Sequence, residues 1–204
     1  MTGKLISRIM NYIKHMIYRA KMKNKKRGLV NESISIHDSA IIFPETQISA
    51  LAKGKISIGE KSCVRGRLLI IMENGEIEIG DHCYIGSQTN VWGGGAKIKI
   101  GNHVLIAHNC NIFDNDTHPI DYLERRENIN DIIYKGKYLT YRTQKKAPIC
   151  IKDDVWIGAN VSIMKGVSIG ERTIVATGSV VTKSFPADVI IAGNPAEIVK
   201  SINS

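Results

Sequence analysis

Through the last third of the chain an aliphatic residue returns every six positions, at Ile151, Ile157, Ile163, Ile169, Val175 and Val181. A small residue tends to follow each, as in Ile157-Gly158, Ile169-Gly170 and Val175-Ala176. A short or β-branched residue stands four places on, at Val155, Val161, Val167, Thr173 and Ser179. Helices and strands repeat at about 3.6 and 2 residues, so neither produces a period of six. A solenoid does: each six-residue unit forms one short face, three faces close a coil, and the coils stack. The period starts near Ile36, with Ile42 and Ile48 behind it. Then Ile58, Ile79 and Ile100 advance by 21 residues, as do Val64, Ile85 and Ile106. Three hexads account for only 18, so these coils carry about three extra residues at one corner. Those corners fall near Glu73-Asn74-Gly75 and Gly93-Gly94-Gly95. The pattern predicts an all-β solenoid.

A chain of 204 residues holds one large domain, or a domain with an appendage. The net charge of +9 is not spread evenly. Residues 1–30 carry nine basic side chains and no acid, which leaves 19 basic against 19 acidic residues in the rest. A protein-wide nucleic-acid footprint would not look like this, and nucleic acid is not an expected partner. Within the arm, Leu5, Ile6, Ile9, Met10, Ile13, Met16 and Ile17 recur at helical spacing among Lys4, Arg8, Asn11, Lys14 and Arg19. This predicts a basic amphipathic helix over 4–20, then a lysine run through Arg27. The expected division is an arm of residues 1–30 and a solenoid domain of residues 31–204. The interspersed charges exclude a membrane-spanning helix, and no signal-peptide core or cleavage site is recognisable, so a cytoplasmic protein is expected. Two roles fit the arm. It can cover the open end of the first coil, as solenoids require. It can also lie through residues 1–28 on an anionic inner-membrane surface, where each basic residue contributes about 1 kcal/mol.

Apolar residues make up 43% of the chain, and eighteen glycines stand beside five prolines, which suits tight corners at regular intervals. Cys83 and Cys110 occupy the small inward position of their hexads, Cys63 and Cys150 lie elsewhere, and no Cys-x-x-Cys pair exists. Buried thiols in a reducing compartment are the expectation. The period breaks once. Residues 113–148, opening Phe-Asp-Asn-Asp-Thr-His-Pro-Ile, have no hexad register, and the rhythm resumes in phase at Ile151. A loop of that length inside a solenoid is usually functional.

The segments IGNHVLIAHNCNIFDNDTHPID and APICIKDDVWIGANVSIMKGVSIGERTIVATGSVVTKSFPADVIIAGNPAEIVKSI resemble the hexapeptide-repeat O-acetyltransferases. The similarity extends over most of residues 56–202. It is strongest to maltose and galactoside acetyltransferases and to bacterial capsule and lipopolysaccharide O-acetyltransferases. It implies a left-handed parallel β-helix, an exception to the right-handed crossover preference. It further implies a homotrimer, with acetyl-CoA bound between neighbouring subunits. His118, in the pair His118-Pro119, stands where that family keeps its catalytic histidine. A sugar hydroxyl is too weak an acid to attack a thioester unaided, so a base with a near-neutral pKa must take its proton. Asp116 or Asp114 could orient the imidazole, or both could simply shape a polar turn around Asn115.

The resemblance places Trp156, in the motif Val-Trp-Ile-Gly, along the tunnel for the pantetheine arm. Packing of that ring on the next coil is the alternative. It also implies a coenzyme A wall of Ala159, Ala176, Thr177, Gly178 and Thr182, with Lys183 and Lys200 near the phosphates. Glu197 departs from relatives that carry a basic residue there, and Ala159 from those with serine. Asn90, Asp114 and Tyr122 are candidate acceptor contacts. Tyr134, Tyr138 and Arg142 could grip sugar rings or cover a neighbouring subunit.

The same fold houses the γ-class carbonic anhydrases, which hold zinc through three histidines. Val64-Arg65-Gly66-Arg67 and the segment around His108 are similar to parts of their signature. Arg67 replaces an aspartate, however, and Phe113 replaces the second histidine, and three protein ligands are needed. No metal is expected, and His82 and His103 are expected to stack on an outer face. The expected activity is acetyl transfer from acetyl-CoA to a saccharide hydroxyl, on a cell-surface polysaccharide or its lipid-linked precursor. N-acetylation of an amino sugar nucleotide is the alternative.

Overall fold

The structure is a computed structural model that describes residues 2–51, 53–136 and 144–202. Within the first helix it describes side chains from Met10 onward, except Asn11 and His15. Leu5, Ile6 and Ile9 of the expected apolar stripe therefore have side chains outside that description. The chain forms a left-handed parallel β-helix of about seven coils. Its first face stacks Ile34–Ile36, Lys55–Ile58, Glu76–Ile79, Lys97–Ile100, Ile149–Ile151 and Ser168–Ile169. The second stacks Ile41–Ile42, Cys63–Val64, Tyr84–Ile85, Leu105–Ile106, Trp156–Ile157 and Ile174–Val175, closed by the antiparallel pair Val189–Gly193 and Ala196–Ser201. The third stacks Gln47–Ala50, Arg67–Ile70, Asn90–Gly93, Asn111–Phe113, Ser162–Ile163 and Val180–Val181.

The period of six is the spacing of inward positions. Ile151, Ile157, Ile163, Ile169, Val175 and Val181 are all fully buried. Each side chain of this size contributes about 1.5 to 3 kcal/mol when removed from water. The series with the longer advance pairs directly, Ile58 on Ile79 on Ile100 and Val64 on Ile85 on Ile106. Inward polar residues are satisfied by neighbouring coils: the Thr89 hydroxyl donates to the Ala107 carbonyl at 2.7 Å, and that of Thr46 to Val64 at 2.7 Å. The extra residues form turns at Glu73-Asn74 and at 94–96, both on the corner from the third face to the first.

Glycine does a different job from the one its abundance suggested. Most corner residues with a left-handed backbone are not glycine, among them Lys61, His82, His103, Asp154 and Arg172. The residue after the buried aliphatic is glycine because coils touch there. A Cβ on Gly59 would lie 2.6 Å from the Gly80 carbonyl oxygen, and one on Gly80 2.6 Å from that of Gly101. Coil spacing is the strand spacing of about 4.8 Å, so the backbone leaves no room for a side chain. His82 and His103 stack as expected, with ring centroids 4.9 Å apart. Cys83 and Cys110 are buried, and burial pushes both thiols up.

Among the described residues two helices depart from the solenoid. The first, α1 (Thr2–Arg27), takes in the lysine run expected to lie beyond it. Lysine, methionine and arginine are good helix formers, and Lys25, Lys26 and Arg27 in the last turn favour the carbonyl end. Its C-terminal half lies against the first coil: Tyr18 meets Phe43 edge-on at 6.0 Å, and the Lys26 ammonium donates to the His37 and Asp38 carbonyls at 2.7 Å. The second, α2 (Tyr122–Lys135), sits inside the excursion, which the sequence marks only as a loop without hexad register. The Asp121 carboxylate caps it, accepting from the backbone N–H of Leu123 and Glu124, and Gly136 ends it in a left-handed conformation.

Candidate active site

The excursion leaves the solenoid at the corner from the third face to the first and returns there. Asp114 follows the strand Asn111–Phe113 and is fully buried. Its carboxylate accepts from the backbone N–H of Gly94 at 2.5 Å and of Ala96 at 2.9 Å, and from the Asn115 amide at 2.8 Å. Asp114, a candidate acceptor contact, is thus held as a buried carboxylate that satisfies two amides of the coil before it. The returning chain pairs antiparallel with the outgoing one at Asn115 and Lys146, and the Ala147 N–H donates to the Asp114 carbonyl at 2.9 Å.

Asp116 is also placed differently from its candidate role as orienter. Its carboxylate forms an ion pair with Lys165, on the same corner of a later coil, while the second oxygen, Oδ2, is buried without a hydrogen-bond partner among the described residues. The imidazole of His118 has a different partner. Its Nδ1 lies 2.7 Å from the Asn128 amide oxygen, and Asn128 is the buried residue of α2. His118 itself is exposed. The short segment between is clamped: Thr117 N–H donates to the Asn115 amide oxygen at 2.6 Å, and Arg125 donates to the Pro119 and Ile120 carbonyls at 2.9 and 2.8 Å. The sequence reading missed Asn128 and Lys165. Only the Asp-x-x-Glu pattern of Asp121 and Glu124 announced a helix there.

The residues expected along coenzyme A fall into two groups. Trp156 points outward from the second face, about half exposed, between Leu105 and Ile174. Ala159, Ala176 and Thr177 come together at the corner from the second face to the third. There the Gly178 N–H donates to the Ala159 carbonyl at 2.9 Å, and a Cβ on Gly158 would lie 2.7 Å from the Thr177 nitrogen. Thr182 and Lys183 lie across the third face, on the corner that holds the excursion, one coil beyond Lys165. The Lys183 ammonium is not free: the Glu197 carboxylate holds it at 2.6 and 2.7 Å. Lys200 is exposed on the last strand opposite Ile190.

Asn90 lines an open groove with Gln47, Arg65, Arg67, Ser87 and Gln88, and donates to Asn111 at 3.0 Å. Its own oxygen is buried without a hydrogen-bond partner among the described residues. Tyr122 is exposed beneath the Arg126 guanidinium, 5.4 Å from its ring centre. Tyr134 is exposed, and Tyr138 and Arg142 lie outside the described residues. His108 is exposed at its corner, and Phe113, where a second zinc histidine would stand, packs edge-on against Trp92 at 5.6 Å.

Fold and repeat define the class. Residues 151–183 match the family described as bacterial transferase hexapeptide (six repeats). A hexapeptide-repeat acetyltransferase of Vibrio cholerae, solved in complex with acetyl-CoA, is 26% identical, covering 93% of this chain and 89% of that one with a TM-score of 0.54. AntD, an N-acyltransferase of Bacillus cereus solved with dTDP and 3-hydroxybutyryl-CoA, shares the fold at 21% identity and a TM-score of 0.66, covering 88% of this chain and 86% of that one. A 2,3,4,5-tetrahydropyridine-2,6-dicarboxylate N-acetyltransferase of Clostridium perfringens is 53% identical over 58 residues, 28% of this chain. That match spans only a quarter of the relative's own length. The expected resemblance holds: this is a hexapeptide-repeat β-helix of the kind found in acetyltransferases.

Proposed function

We propose that the protein transfers acetyl from acetyl-CoA to a hydroxyl of a saccharide, with His118 as general base. The observation that carries this reading is an exposed imidazole, held through Nδ1, at the mouth of the one excursion from a β-helix otherwise continuous among the described residues. Nε2 takes the proton as the hydroxyl oxygen attacks the thioester carbonyl. The tetrahedral intermediate then collapses, the C–S bond breaks, and the proton passes from the imidazolium to the departing thiolate. The acetyl-CoA complex of the Vibrio cholerae relative supports the donor. In this reading Trp156 and the small residues Ala159, Ala176 and Thr177 border the pantetheine arm. Lys183, neutralised by Glu197, gives the phosphates less than a free ammonium would, and Lys200 is the less encumbered cation.

The 53% identity to an N-acetyltransferase segment favours a second reading, in which the acceptor is an amine. One experiment separates the two. Acetyl-CoA carrying labelled acetyl is incubated with the protein and a panel of neutral, acidic and amino saccharides. Label should appear on saccharide and be released by mild alkali or hydroxylamine, which cleave esters and spare amides. Label on saccharide that resists both treatments would replace the first reading with the second.

The two groups of site residues occupy opposite edges of the third face, as expected if neighbouring copies complete each other's sites. A row of outward apolar side chains on the second face supports a homotrimer: Ile41, Cys63, Tyr84, Leu105, Trp156 and Ile174 lie in register from coil to coil.

The acceptor is proposed to be handled at an anionic membrane surface. The helix α1 docks through Tyr18, Met22 and Lys26, whereas Met10, Ile13, Met16 and Ile17 lie on its opposite side, each 43–53% exposed. Lys14, Arg19, Lys21 and Lys23 flank that stripe, the arrangement of an in-plane interfacial helix. Covering the first coil and meeting lipid therefore use different sides of one helix. The intact protein should float with vesicles containing phosphatidylglycerol, and Ile13→Asp/Ile17→Asp should not. Equal flotation of the two would overturn the membrane reading.

A further inference from the structure

The role of α2 follows from its single buried residue. Thirteen of its fourteen positions are exposed or half-buried, and the side chain it commits to the interior is an amide. Asn128 is 2% exposed, and its Oδ1 faces the Nδ1 of His118 at 2.7 Å. A carbonyl oxygen accepts and cannot donate, so Nδ1 must carry the proton in the neutral ring. The lone pair is then left on Nε2. We propose that Asn128 is the positioning residue of the site: it fixes the tautomer and the plane of His118, and α2 exists in the excursion to deliver it. The inference rests on the reading of His118 as general base.

The surroundings reinforce the assignment. The carboxylate nearest in sequence, Asp116, is committed to Lys165. The nearest cation on α2, Arg125, is committed to the Pro119 and Ile120 carbonyls and so ties the helix to the segment that carries the imidazole. The Asp121 cap and the Gly136 terminus fix both ends of the helix. A neutral partner also differs in kind from a carboxylate. A carboxylate favours the protonated ring and would leave less free base at neutral pH; an amide aligns the ring without that bias.

The test uses the full-length protein and two variants, read by activity and by the imidazole nitrogen resonances. In the parent, NMR should show the His118 proton on Nδ1. Asn128→Ala should lose that tautomer preference and lower kcat about a hundredfold, with the KM for acetyl-CoA unchanged. Asn128→Asp should retain the tautomer and shift both the His118 titration and the acid limb of the kcat–pH profile about one to two units higher. Circular dichroism shows whether either variant keeps its helix, and Asn128→Asp, isosteric with the parent, carries the test if Asn128→Ala does not fold. An unchanged tautomer and kcat in folded Asn128→Ala, or an unmoved titration in Asn128→Asp, would overturn the inference. Should the parent transfer acetyl to no acceptor, the functional reading falls, while the tautomer and titration still decide whether Asn128 positions the ring.

Discussion

Replacing His118 with alanine is expected to lower acetyl transfer by about a hundred- to ten-thousand-fold, with the β-helix and donor binding intact. The range is what a positioned general base contributes by taking a proton in the transition state. The structure explains why fold and donor binding should survive. The imidazole is exposed, and the scaffold contacts of the excursion run through other groups: Asp114 to the amides of Gly94 and Ala96, Asp116 to Lys165, and Arg125 to the Pro119 and Ile120 carbonyls. Removing the ring leaves Asn128 with an unpaired buried oxygen, a stability cost of about 1 to 3 kcal/mol. The measurement is kcat and KM on the acceptor identified by labelling, beside a thermal melt and a titration with coenzyme A. Turnover within threefold of the parent would remove His118 from the chemistry.

The parts of this molecule that could be read in the sequence are those that repeat. Ile58, Ile79 and Ile100 announced a coil because one physical demand, a buried aliphatic against the coil before, recurs at each. The stacking of His82 on His103 followed from the same register. Non-repeating features were harder. The helix α2 buries one residue, so it has no apolar stripe toward the core, and periodicity could not mark it against the surrounding charge. His118 was legible from its motif, but its partner was not. The Asn128 contact depends on where a capped helix places one side chain, ten residues away. Asp114 and Asp116 looked equivalent in the sequence, two residues apart in a polar turn. The fold sends one to backbone amides and the other to a lysine from a later coil. Glycine was read through its conformational freedom, whereas the stack of Gly59, Gly80 and Gly101 is a matter of clearance between coils.

Leu105→Lys is expected to leave the chain folded, prevent its assembly, and reduce transfer about a hundredfold or more. Leu105 points outward at the middle of the second-face row, 44% exposed, with Tyr84 on one side and Trp156 on the other. The substitution touches no core position, so the cost to the isolated chain should stay within about 0.5 kcal/mol. Against a second copy the balance reverses. A leucine buried there contributes about 1.5 to 3 kcal/mol, and a lysine ammonium would have to be desolvated without a partner. On the proposed intersubunit site activity should follow assembly, because one chain keeps His118 on one edge of the third face and Ala159, Ala176 and Thr177 on the other. With the donor bound along those residues as proposed, a separated subunit would hold base and donor too far apart for attack. Light scattering, a thermal melt and the labelling assay on one preparation decide it. A variant that still assembles, or a folded single chain that retains full turnover, would show that the row is not the interface or that each site lies within one subunit.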